Sequence, residues 1–132
     1  MVVAAAKKRP EPYAPYILIV DDESRVRQLF ARILEDAGYL VSEAENGRAA
    51  ARLCEDRFFD VIVSDLSMPD MDGLEMLGLV RGELPNIKVV LISGFIAGSQ
   101  TPISRLGADA VLPKPLAKDR LLKTVCDLLA DR

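Results

Sequence analysis

A chain of 132 residues, half of them apolar, holds enough material for one ordinary domain with a sizeable core and too little for two. Its formal net charge of −3 argues against direct nucleic-acid binding, which needs clustered Lys and Arg to neutralise phosphates. No apolar stretch is long enough to span a bilayer, and the short apolar start precedes Lys7-Lys8-Arg9 instead of following it, so neither a membrane span nor a signal peptide is read; a cytoplasmic setting is the expectation.

Histidine is absent, which excludes His-based triads, His zinc ligands and phosphohistidine on this chain. Cys54 and Cys126 lie far apart without metal-knuckle or redox spacing, so both read as reduced packing residues.

Residues 1–15 mix small apolar residues, a basic triplet and three prolines without periodicity, and read as a flexible tail; residues 16–132 form the domain. From Tyr16 on, strand-like and helix-like patterns alternate. The run Tyr16-Ile-Leu-Ile-Val20 predicts a buried strand, and Val26, Leu29, Phe30, Ile33, Leu34 and Ala37 predict an inward helix face closed by Gly38. Tyr39 to Ala44 reads as a short strand whose Ser42 and Glu43 suit a sheet edge. Gly47 to Glu55 reads as the second helix, with Ala50 and Leu53 inward. Val61-Ile-Val63 leads through Ser64 to Asp65, and a loop to Gly73 precedes a third helix burying Leu74, Leu77, Val80 and Leu84. The fourth strand, Lys88 to Ile92, ends at Ser93. Phe95 to Gly107 carries glycines and a proline that predict a late or distorted fourth helix. Ala110-Val-Leu112 ends at Pro113-Lys114-Pro115, and a fifth helix from about Ala117 buries Leu121, Leu122, Val125, Leu128 and Leu129.

Short continuous apolar runs of this kind are strands of a parallel sheet buried on both faces, and ligands bind at the C-terminal edge of such a sheet. That edge would gather Asp21, Asp22, Asp65, Ser93 and Lys114. An Asp after a strand often caps the next helix, a role open to Asp22 or Ser24. Adjacent carboxylates facing a third repel unless a cation compensates, and three of them alone would stabilise a domain poorly. Mg²⁺ fits, being a hard cation that takes one or two carboxylates, waters and phosphate oxygens, with Mn²⁺ the alternative. Asp22, Asp65 and the Ser67 carbonyl would ligate it, and Asp21 would hold its water. Asp65 then becomes the nucleophile, with Lys114 and Ser93 donating to phosphoryl oxygens. Asp70-Met-Asp72-Gly73 fails the calcium-loop frame, which would run from Met68 to Leu79. Arg25 and Arg27 read as a solvated face.

In these residues the chain resembles a two-component response regulator receiver domain of the stand-alone, chemotaxis-regulator type. The matching motifs are Ile17-Leu-Ile-Val-Asp-Asp-Glu23, Asp65-Leu-Ser-Met-Pro-Asp-Met-Asp-Gly73, Leu91-Ile-Ser93 and Leu112-Pro-Lys-Pro115, over roughly Tyr16 to Leu129. The resemblance implies an α/β, flavodoxin-like, doubly wound sheet of five parallel strands in order 2-1-3-4-5 with five helices. It also implies phosphoryl transfer to Asp65 from a histidine kinase or phosphotransfer protein, a Mg²⁺ requirement, a cis bond before Pro115, and a downstream protein partner. Val111 stands where the family usually has an aromatic switch residue, which removes the usual coupling of hydroxyl and ring. Two other classes fit the residues less well. A phosphohydrolase acting through an aspartyl phosphate would place an Asp-x-Asp pair after one strand, and a pure interaction domain would leave the acids idle.

Overall fold

The structure, a computed structural model, describes residues 14–66, 73–93 and 107–131. Five strands, β1 (Tyr16–Val20), β2 (Leu40–Ala44), β3 (Val61–Asp65), β4 (Lys88–Ser93) and β5 (Ala110–Pro113), alternate with four helices in the described residues. These are α1 (Ser24–Asp36), α2 (Gly47–Asp56), α3 (Gly73–Glu83) and α4 (Lys118–Ala130). The fourth helix expected over Phe95–Gly107 falls almost wholly outside the described residues, so α4 is the fifth helix of the sequence reading. Every pairing is parallel, as the sequence pattern implies, and the strand order is β2-β1-β3-β4-β5, as the resemblance implies.

The strands read as continuous apolar runs because their alternate residues enter two different cores. Leu18, Val20, Ile62, Val89 and Leu91 pack with Ala50 and Cys54 of α2 and Met76, Leu77 and Val80 of α3. Ile17, Ile19, Val61, Val63, Val90 and Ile92 pack with Phe30 and Leu34 of α1 and Leu121 and Val125 of α4. Each fully buried aliphatic side chain contributes about 1.5–3 kcal/mol relative to exposure, so the central strands anchor both layers. At the edge, β2 is only half-buried, which accommodates Ser42 and Glu43.

Helix α1 ends where Gly38 takes φ 98°. Gly38 N–H donates to the Glu35 carbonyl and Tyr39 N–H to the Leu34 carbonyl, a Schellman closure that a residue with a Cβ enters only under strain. Other expectations are corrected. Leu29 is 56% exposed and Ala37 is exposed, while Leu53, Leu122, Leu128 and Leu129 are half-buried flanks of the two cores. The apolar stripe of α1 is wider than the strip the sheet covers, so its margin stays in solvent. Cys54 is buried as expected, but Cys126 is exposed.

Candidate functional site at the carboxyl edge of the sheet

Strands β1 and β3 are neighbours in register, Val20 opposite Ser64, so both deliver their next residues to the same edge. Asp21 follows β1 directly and Asp65 closes β3. One carboxylate oxygen from each of Asp21, Asp22 and Asp65 lies within 4.8 Å of the others, a spacing that suits ligands of one cation. Asp21 and Asp65 are buried and Asp22 is exposed, leaving the cluster open to solvent on one side.

Lys114 arrives from β5. Its N–H donates to the Ser93 carbonyl at 3.1 Å, continuing the β4–β5 ladder, and its Nζ donates to Asp65 Oδ2 at 2.7 Å. The Lys114–Pro115 bond is cis. Ser93 is buried at the end of β4, and Ile92 beside it stands opposite Asp65. Ser67, expected to lend a carbonyl, lies outside the described residues.

The electrostatics follow from this crowding. Burial pushes the Asp21 carboxyl up from its ordinary value, and the nearby Asp65 and Asp22 charges push the same way; the Glu23 N–H, donating to Asp21 Oδ1 at 2.9 Å, and Lys114 oppose them. The hydrogen bond to Asp65 raises the Lys114 ammonium above the usual lysine range against desolvation, with the Asp65, Asp21 and Glu23 charges adding to it. An excess of negative charge thus remains at the edge, and hard oxygen donors in that arrangement fit Mg²⁺.

The N-cap of α1 is Glu23, whose side chain makes no capping bond, so neither Asp22 nor Ser24 takes the capping role that competed with the site reading. Arg25 is exposed as expected, but Arg27 is not on a solvated face: it donates to the Asp21 carbonyl and to Glu43. Sequence reasoning passed over it because Glu43 and Asp21 meet only across the β1–β2 pair. Val111 is half-buried against the core shared with α2 and α3. A groove of about 450 Å³ opens beside Asp21, Glu23 and Lys114, with Val26, Leu29, Phe30 and Leu116 on its apolar side.

Residues 17–126 match the family model described as the response regulator receiver domain. The chain is 35% identical to the response regulator receiver protein CpdR of Brucella abortus, over 75% of this chain and 83% of CpdR. It is 36% identical to the sensor kinase CckA of Brucella abortus over 96% of this chain, but spans only 14% of that kinase's length. Among solved structures, the response regulator TrrA of Thermotoga maritima, in complex with Mg²⁺ and BeF, aligns with a TM-score of 0.77 at 31% identity, covering 86% of this chain and 98% of TrrA.

Proposed function

Since the chain belongs to the response regulator receiver domain family, the phospho-accepting signalling domains of two-component systems, we propose that Asp65 is its phospho-acceptor and that Asp21 and Asp22 hold Mg²⁺ beside it. The observation that carries this reading is the gathering of three carboxylates within 4.8 Å, with Lys114 bonded to one of them. Residues delivered by β1, β3 and β5 meet there although no two strands' contributions adjoin in sequence.

In the transfer, an Asp65 carboxylate oxygen attacks the phosphorus of a phosphohistidine on the donor protein. The P–O bond forms as the N–P bond breaks, and the electron pair leaves with the imidazole nitrogen. Mg²⁺, when bound by Asp21, Asp22 and Asp65, supplies charge neutralisation for the phosphoryl oxygens. Lys114 Nζ, already 2.7 Å from Asp65, follows the charge from the carboxylate to a phosphoryl oxygen. The Ser93 hydroxyl donates to another, which gives the phosphorylated state a contact that the free state lacks. Val111 presents no ring, so the switch runs without ring rotation at that position. The donor is a histidine kinase or phosphotransfer protein, and the apolar groove beside Asp21, with Leu29 exposed on its rim, supports docking of that protein there. The output is a downstream protein partner, and no chemistry beyond the domain's own phosphorylation and dephosphorylation is assigned.

The test is amide NMR with MgCl₂ and beryllofluoride, which stands in for the phosphoryl group. Resonances around Asp65, Ser93 and Lys114 shift in the native protein and stay in place in Asp65→Asn. Unshifted resonances in the native protein defeat the proposal.

A further inference from the structure

Asp22 is exposed at the start of a turn, yet its carboxylate must meet those of Asp21 and Asp65. The position from which that carboxylate is presented depends on the peptide unit that joins Asp22 to Asp21. That unit is planar, so holding the Asp21 carbonyl also holds the Asp22 nitrogen and Cα, the atom from which its side chain departs. Arg27 Nη1 donates to this carbonyl at 2.8 Å. The other side of Asp21 is held as well, since its N–H donates to the Ala44 carbonyl at 3.1 Å.

Arg27 is itself fixed from two directions. Its backbone N–H bonds the Glu23 carbonyl in the first turn of α1, and its Nε bonds Glu43 Oε1 at 3.0 Å. Its side chain is 15% exposed, against 37% for Glu43, and Glu43 stands opposite Ile19 in the β1–β2 ladder. The guanidinium therefore braces the β1–α1 turn against the edge strand, with its planar fork reaching a carbonyl and a carboxylate at once.

We infer that Arg27 is a positioning residue for the acidic pair, aiming Asp22 at the metal through the Asp21 carbonyl. The inference rests on the proposed Mg²⁺ site and adds to it a residue that touches neither metal nor phosphate. Charge alone predicts the opposite outcome from geometry. A cation near a cation site weakens Mg²⁺ binding, so losing Arg27 would tighten binding if Coulomb repulsion were its only effect.

MgCl₂ titrations followed by amide NMR separate the two. Native protein gives saturable shifts at Asp21, Asp22 and Asp65. Arg27→Ala weakens the Mg²⁺ dissociation constant by about 10-fold, the typical cost of removing a group that orients a ligand. Arg27→Lys, which keeps the charge and one donor, recovers most of the loss. Equal or tighter Mg²⁺ binding by Arg27→Ala overturns the inference, as does a lysine variant no better than alanine. So does a lowered melting temperature in EDTA with an unchanged dissociation constant, the mark of a purely structural residue. If the alanine variant does not fold, Arg27→Met keeps the aliphatic stem and is read the same way. Absence of saturable shifts in the native protein is a different result, because it removes the metal site itself.

Discussion

Asp21 is only 5% exposed and shares its edge of the sheet with Asp22 and Asp65, so burial and like charge together raise its pKa above the ordinary carboxylate value. Between its unfolded and folded pKa, such a group binds more protons folded than unfolded. Its stabilising contribution is therefore present below the ordinary value and lost as pH rises through the folded one. Asp21→Asn is expected to raise the melting temperature of the metal-free protein at pH 7.5 more than at pH 3.5, below the ordinary carboxylate value of 3.8, measured by thermal unfolding in EDTA. A rise that is equal at both pH values would contradict this account. The site acids and Lys114 were legible in the sequence because each terminates an apolar run. Asp60 and Asp109 were not singled out, yet each serves the opposite edge: Asp60 Oδ2 accepts from Tyr16 N–H at 2.8 Å and Asp109 Oδ2 from Val89 N–H at 2.7 Å. The available signal was an acid immediately before a strand, whose carboxylate can satisfy a neighbouring strand's first donor.

Helix ends and helix faces differ in how much of them local pattern determines. The close of α1 was legible because a left-handed residue after the last turn favours glycine whatever lies around it. Gly38→Ala meets no atom within 4 Å, so its cost is conformational alone. Denaturant unfolding is expected to show a loss of about 1 kcal/mol with an unchanged slope. A neutral substitution would mean the turn relaxes. The start of α2 had a comparable signal that was overlooked: Asn46 Oδ1 accepts from Ala49 N–H at 2.8 Å, the usual N-cap bond. Faces are harder. Periodicity places Leu29 with Phe30 and Leu34, but which apolar positions are covered depends on where the sheet ends.

At the scale of the molecule, the alternation of apolar runs and amphipathic segments was enough to derive a parallel sheet. The strand order came from the resemblance, since periodicity does not say which strand crosses to which side. Lys114 is carried by β5, a four-residue strand paired only with β4 among the described residues. The far end of that strand is tethered by Arg81, whose Nη2 donates to the Gly107 carbonyl at 2.9 Å and to Asp109 Oδ2 at 3.1 Å. Local opening draws on such thin margins before it reaches a doubly covered interior. With Arg81→Ala, hydrogen–deuterium exchange is expected to quicken at Val111 and Leu112 while Ile62 and Val63 keep their protection; uniform quickening would mean the sheet opens as one unit. The counter-charge bonded to Asp65 would then ride on a thin edge of the sheet, restrained by a latch at its other end.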